Sequence, residues 1–412
     1  MDHPTHADSP EIDVSALFEW LIDGAPGAVG PVAVVAHMGP AMVARGVPIR
    51  RMAAFVRTLH PSIMGRSFVW RADRAEVEVR EAPYSVLVSP TFAISAAGRV
   101  FSTGQPLRRR IALAEEADSE ELVRLRDEGM TDYLGLPLRF LDGQVHAVTF
   151  CTDHPSGFSE AHVRVLTQLS RPLARVAEIL ALRRTATNLL NAYVGRDAGE
   201  RILQGKVQRG DTEIVRCVIW FSDLRGFTTL SQASPAEDII LVLNRIFECQ
   251  VPMIEQQGGQ VLKFMGDGLL AIFPIPSPAS VGAVAPAALA AALAAHGALE
   301  RLNEERHGVG ESPLDFGVSL HIGDVAYGNI GGEGRLDFTC IGAAVNLASR
   351  IEGLTGKLGL RLLLSEAFAA VPGVESVEVG RFPLKGVEGE VTVYAPASPP
   401  SPAPPLRSAG RR

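Results

Sequence analysis

Val215-Arg216-Cys217-Val218-Ile219-Trp220-Phe221-Ser222-Asp223-Leu224-Arg225-Gly226-Phe227-Thr228 is the stretch on which the C-terminal half turns. Its first seven residues form a nearly unbroken apolar run, the pattern of a strand buried on both faces. The run ends at a carboxylate, Asp223, and a glycine turn leads into a helix. A carboxylate at the C-terminal end of a strand suits a hard cation, and the amides after it face phosphate oxygens. Taken alone the feature is ambiguous, because a strand-end Asp also serves as a plain helix cap.

Two further segments add to it. Val261-Leu262-Lys263-Phe264-Met265-Gly266-Asp267-Gly268-Leu269-Leu270-Ala271-Ile272-Phe273 reads as strand, tight turn, strand. Such hairpins need no function, but this one supplies a second carboxylate, Asp267, with Lys263 four residues earlier. Two carboxylates at the ends of adjacent strands suit a pair of Mg²⁺ ions and in-line displacement at phosphorus. The third segment is Asp337-Phe338-Thr339-Cys340-Ile341-Gly342-Ala343-Ala344-Val345-Asn346-Leu347-Ala348-Ser349-Arg350-Ile351-Glu352, a strand turning into a helix at Gly342. Asn346 and Arg350 are four apart and share a helical face. Together they suit a ribose oxygen and a charged phosphoryl group; by itself the segment reads equally as a surface ion pair.

The totals restrict the alternatives. A chain of 412 residues predicts two or three domains. With 47% hydrophobic and 21% charged residues it is not a disordered chain. A net charge of −7 disfavours nucleic-acid binding, which asks for a basic face. Four isolated cysteines, with no C-x-x-C, give neither a disulfide framework nor a zinc ribbon, so a reducing cytoplasm is expected. The start of the chain has no signal-peptide pattern, and the Ala-rich stretch Val281 to Ala295 is too short and weakly apolar to span a bilayer, so no membrane insertion is expected.

Working outward, residues 1–11 are polar and expected to be flexible. Residues 12–182 read as mixed α and β: Tyr84 to Val88 as a strand, two strands flanking the hairpin signal Asp142-Gly143, and a helix after Ser159 that Pro172 should bend or interrupt. This succession resembles a GAF domain, which implies a regulatory sensor of an unknown ligand or protein. Residues 183–212 read as a linker or signalling helix. Its apolar positions, Leu189, Leu190, Tyr193, Val194, Ile202 and Leu203, either pair with an identical chain or pack on their own domain. Residues 213–395 are the second α/β region, and 396–412 a tail rich in Pro, Ser and Arg, expected to be disordered.

The three segments in this order, with the closing region Gly380 to Val387, resemble the class III nucleotidyl cyclases. The resemblance implies an α/β (α+β) fold of ferredoxin-like, palm type behind the GAF-like domain. It implies that Asp223 and Asp267, with the carbonyl of Leu224, hold two Mg²⁺ or Mn²⁺ ions per active site. Gly226, Phe227 and Thr228 match the turn on the triphosphate. Lys263 and Thr339 match the base-reading pair, Asn346 the ribose-orienting residue, and Arg350 the residue that stabilises the transition state. A Lys and a Thr at the base-reading positions match the subgroup that takes ATP, with Lys serving adenine N1 and Thr serving N6. Cys340, one residue on, would favour guanine if the register slipped by one. Ala343 departs from the polar residue that many relatives carry. The family shares its sites between chains, which implies a homodimer.

Four rivals remain: a guanylate cyclase, a catalytically silent nucleotide-binding regulator, an N-terminal half that is only an interaction scaffold, and a diguanylate cyclase suggested by Gly331-Gly332-Glu333-Gly334. The last stretch reads better as a turn. His37, His60, His146 and His154 lack metal-ligand spacing.

Overall fold

The computed structural model describes residues 12–60, 63–113 and 119–398. The expectations for residues 1–11 and for the tail beyond Ser398 fall outside them. The chain divides into two compact units, Met1–Leu189 and Leu190–Arg412.

The first unit opens with helices α1 (Ser15–Ile22) and α2 (Pro31–Val43) and strands β1 (Arg51–Arg57), β2 (Gly65–Arg71) and β3 (Glu78–Ala82). Helices α3 (Pro90–Ile94) and α4 (Ala96–Thr103), strand β4 (Leu107–Arg109) and helix α5 (Glu120–Asp127) follow. Strands β5 (Asp132–Arg139) and β6 (Val145–Thr152) and helix α6 (Glu160–Val194) complete the run. The strands form one sheet in the order β3-β2-β1-β6-β5-β4, with every pairing antiparallel. Gly143, at φ 83°, makes the β5–β6 turn where the sequence signals it.

Two details differ from expectation. Tyr84–Val88 is a 3₁₀ helix, not a strand. Pro83 has no amide hydrogen with which to extend the ladder of β3, and Pro90 opens α3, so Tyr84–Val88 turns instead. Helix α6 runs 35 residues without a break at Pro172. Its buried stripe of Val165, Leu166, Leu169, Leu173 and Val176 packs into the unit's core and holds the helix through the one lost hydrogen bond.

The second unit contains α7 (Arg196–Leu203), β7 (Thr212–Leu224), α8 (Phe227–Ala233), α9 (Ala236–Gln256), β8 (Gln260–Met265), β9 (Gly268–Pro274), α10 (Val281–Gly308) and β10 (Phe316–Gly332). After these come β11 (Arg335–Ile341), α11 (Ala343–Leu358), β12 (Leu362–Ser365), α12 (Glu366–Ala369), β13 (Ser376–Pro383) and β14 (Glu390–Pro396). The sheet order is β13-β14-β12-β10-β7-β9-β8, with β11 paired to β10. This is an α+β fold, with helices on both faces of a largely antiparallel sheet.

Strand β7 is central, which explains its unbroken apolar run. Val218 and Trp220 enter the core shared with α9 and α10; Cys217 and Ile219 enter a second cluster on the opposite face, with Ala198 of α7 and Ala348 of α11. Helix α10 has the length and composition of a membrane span. Ala285, Ala288, Ala291, Ala292, Ala295 and Leu299 nevertheless lie in the core, and the small alanine face lets the helix approach the sheet closely. All four cysteines are buried and free.

Candidate active site

Asp223 is the penultimate residue of β7, and Asp267 sits in the turn joining β8 to β9. Two glycines bring them together. Gly266, at φ 68°, makes the left-handed corner. A Cβ at Gly268 would lie 2.9 Å from the Ser222 carbonyl and 3.3 Å from Asp223 Oδ1, so only glycine lets the turn close on β7. Burial pushes the Asp223 carboxyl up to about 6, and the charge of Asp267 and a hydrogen bond to it push the same way. Among the described residues neither Asp has an arginine or lysine ion-pair partner. Two adjacent, half-buried carboxylates left without a counter-charge are a donor set that fits a hard cation. No cluster of three or more metal-ligating side chains occurs among the described residues. A cation there would complete its shell with carbonyl, water or phosphate oxygens.

A third carboxyl lies behind the pair. Glu352 of α11 is buried and accepts a hydrogen bond from Thr355 Oγ1 at 3.2 Å. Burial raises it to about 7, with the charge of Asp223 adding to the rise. It lies against Gly317, which is paired with Asp223 across β10 and β7; a Cβ on Gly317 would meet Glu352 Oε1 at 2.8 Å.

The loop after Asp223 is anchored from below. Arg225 Nη1 reaches Asp315 Oδ2 at 2.7 Å, its Nη2 donates to the Leu360 carbonyl at 2.6 Å, and its amide donates to the Asp315 carbonyl at 2.8 Å. Arg361 Nε binds the other oxygen of Asp315, also at 2.7 Å. Ser222 Oγ donates to Gln250 Oε1 at 2.6 Å in the core. Gly226, at φ 71°, then turns the chain into α8, placing Phe227 and Thr228 in its first turn. Sequence reasoning missed Arg225, Asp315, Arg361, Gln250 and Glu352, because their partnerships are set by register and carry no local signature.

Lys263 and Thr339 stand on β8 and β11. The Lys263 ammonium is ion-paired with Asp337, two residues before Thr339. Strand alternation puts Thr339, itself buried, on the face of Asp337 and turns Phe338 and Cys340 the other way, into the cluster containing Cys217 and Tyr327. Helix α11 buries Ala348 and Ile351 and leaves Asn346 and Arg350 exposed on one face. Neither side chain has a hydrogen-bond or ion-pair partner among the described residues.

The family described as Adenylate and Guanylate cyclase catalytic domain matches residues 211–396, and the GAF domain family matches residues 49–178. Residues 211–396 are a class III adenylate/guanylate cyclase catalytic domain, preceded by a GAF domain. The chain is 34% identical over 165 residues to "Adenylate cyclase" of Anabaena cylindrica, a match covering 39% of this chain and 32% of that protein. It is 32% identical over 193 residues to "Adenylate cyclase, terminal-differentiation specific" of Dictyostelium discoideum, covering 46% of this chain and 9% of that protein. The chain thus spans a third or less of the length of these relatives. Among solved structures, the adenylyl cyclase CyaB from P. aeruginosa aligns with 28% identity and a TM-score of 0.41, covering 45% of this chain and 94% of that one. The guanylyl cyclase Cya2 aligns with 34% identity and a TM-score of 0.40, covering 44% and 92%. The GAF domain ahead of the cyclase domain gives the chain the organisation of a signal-transduction protein.

Proposed function

We propose that the chain is an adenylate cyclase that converts ATP to 3′,5′-cyclic AMP and pyrophosphate as a cytoplasmic homodimer regulated by its GAF domain. The observation that carries the choice of ATP is the placement of Thr339 on the face of β11 shared with Asp337 and Lys263, while Cys340 is turned into the core. A lysine donor and a hydroxyl acceptor complement N1 and N6 of adenine. Guanine presents the reverse pattern and would leave buried polar groups unpaired.

Asp223 and Asp267, with the carbonyl of Leu224, would hold Mg²⁺ or Mn²⁺, two ions per site. Held there, the cations supply neutralisation of the phosphates and a lowered pKa for the ribose 3′-hydroxyl. The amides at Gly226, Phe227 and Thr228 face the triphosphate. Asn346 orients the ribose so that the 3′-oxygen lies in line with the α-phosphorus and the leaving pyrophosphate. Arg350 balances the charge on the five-coordinate phosphorus. Positioning and electrostatics therefore carry the rate. The exposed, unpartnered Asn346 and Arg350 support a site completed between two chains: the carboxylates of one protomer, and Lys263, Thr339, Asn346 and Arg350 of its partner.

The test is turnover of ATP and GTP measured side by side on the purified chain, with Thr339→Cys, Lys263→Glu and Asp223→Ala variants. Cyclic AMP as the main product, a shift toward GTP in the first two variants and silence in the third are expected. Preference for GTP in the unaltered chain would make it a guanylate cyclase. No turnover of either nucleotide would make it a silent regulator.

A further inference from the structure

The first unit contains a cavity of about 290 Å³ between the sheet and helices α2 and α6. The register of the strands sets its floor. Ala54, Phe68 and Val79 form one cross-strand row, and Val56, Arg66 and Glu81 the next, all on the face turned to the two helices. Val35 of α2 and Leu173 and Leu180 of α6 supply the walls. Val79 remains 44% exposed, so the apolar floor is reached by water and has no side chain of its own to cover it. Such a void loses the packing contacts that a filled core would make.

The mouth is polar and carries one uncompensated charge. Arg66 is neutralised by Glu81, through Nε at 2.9 Å and Nη2 at 2.6 Å. Arg184 of α6 also lines the cavity, and among the described residues it has no acidic partner. Thr58 Oγ1 accepts from Asn188 Nδ2 at 3.5 Å, which leaves the hydroxyl hydrogen free to donate into the cavity. Pro31 and Val32, in the first turn of α2, line the same mouth and add the positive end of that helix. Arg57 also borders the cavity, but its guanidinium lies over the Phe101 ring of α4 at 5.9 Å.

We propose that this cavity is a binding site for a small amphipathic monoanion, an apolar body with a carboxylate head. The body fills the space above Phe68 and Val79, and the head meets Arg184 and the Thr58 hydroxyl. The volume lies at the small end of ligand pockets. A cation is disfavoured by Arg184 and by the helix end, and a neutral molecule gains nothing from either. The proposal concerns the GAF domain and does not depend on which nucleotide the cyclase domain takes.

Decanoate below its micellar concentration is the probe, titrated calorimetrically into the full chain, with decyltrimethylammonium as the control of opposite charge. One saturable site for decanoate and none for the cation is the expected result. Ala177→Phe, which fills the cavity from α6, removes binding. Arg184→Glu weakens it by about tenfold or more, as expected for loss of a charge-assisted contact. If Ala177→Phe unfolds the chain, Val79→Trp fills the same space from the open side, where a larger ring has room. Equal binding of the two probes, no saturable site, or binding that survives filling of the cavity overturns the proposal. So does a wild-type chain that ignores decanoate while Val79→Trp changes its oligomeric state, which would make the face an interface between copies.

Discussion

Lys263 of β8 and Asp337 of β11 form an ion pair across 74 residues of sequence. It ties the proposed base-reading lysine to the strand that carries Thr339, so the two base contacts move as one unit. Asp337→Asn removes the partner and leaves the lysine on a flexible stem. The pair is partly exposed, so the effect is modest: about three- to tenfold in kcat/KM for ATP, expressed in KM. Turnover of GTP stays level, and Asp337→Glu restores most of the loss. Kinetics with both nucleotides decide it; an equal fall for ATP and GTP would mean that Asp337 is merely structural.

The uncompensated pair of Asp223 and Asp267 predicts a metal-linked stability. Mn²⁺ or Mg²⁺ binding to the folded chain raises its melting temperature in a concentration-dependent way. Asp267→Asn abolishes that response and lowers cyclase activity by about 10²–10³. Without added metal the variant is at least as stable as the wild type, because it no longer sets two half-buried carboxylates side by side. Thermal unfolding with and without cation reads both effects, and a variant that keeps the full metal response rules out this pair as the cation site.

Shared sites predict complementation. Asp267→Ala and Arg350→Ala chains are each inactive alone. Half of the randomly mixed dimers are heterodimers with one intact site of two, so an equal mixture recovers about a quarter of wild-type activity. A mixture that remains inactive, although both variants fold and associate, removes the two-chain site.

Asp315 is buried between Arg225 and Arg361, and the Arg361 side chain is only 2% exposed. Asp315→Asn removes the charge between the two guanidiniums and leaves Arg361 only its longer pair with Glu300 at 3.5 Å, a defect that costs about 3 kcal/mol. Because Arg225 lies between Leu224 and Gly226, activity also falls at temperatures where the variant is still folded. Chemical denaturation, with assays well below the melting temperature, separates the two effects; an unchanged denaturation midpoint would refute the clamp.

The pH dependence of stability follows from buried histidines. His296 is enclosed between the carbonyls of Ala292 and Phe316, and burial, outweighing those two hydrogen bonds, lowers it from 6.5 to about 4. Arg361 and Arg225 push it the same way. Burial likewise lowers His321 to about 4. A base whose folded pKa lies below its unfolded value contributes its full stability above pH 6.5 and loses it as the pH falls toward 4. Asp223 and Glu352, whose carboxyls are raised, act in the opposite sense over the same range, so the signature is the difference: between pH 6.5 and 4 the wild-type melting temperature should fall relative to that of His296→Leu. Parallel curves would contradict the assignment.

What could be read before folding was local. The unbroken apolar run of β7 marks a strand buried on both faces, the Asp-Gly pair marks the β5–β6 turn, and the four-residue spacing of Asn346 and Arg350 marks one helical face. Each depends on contacts within a few residues, where backbone geometry leaves few options. Tyr84–Val88 shows the limit of that logic: a β-rich composition became a 3₁₀ turn because prolines at both ends removed the ladder.

The sequence by itself determined the order of domains, the carboxylates, and the residue types offered to a nucleotide. Only the tertiary structure decided that Thr339 shares a face with Asp337 while Cys340 points into the opposite cluster, that Arg225, Asp315 and Arg361 form one clamp, and that the GAF domain keeps an apolar void beside Arg184. These partners are separated by up to 135 residues. Which acid meets which base at that range is set by strand register and helix packing, and neither is encoded in any short stretch of chain.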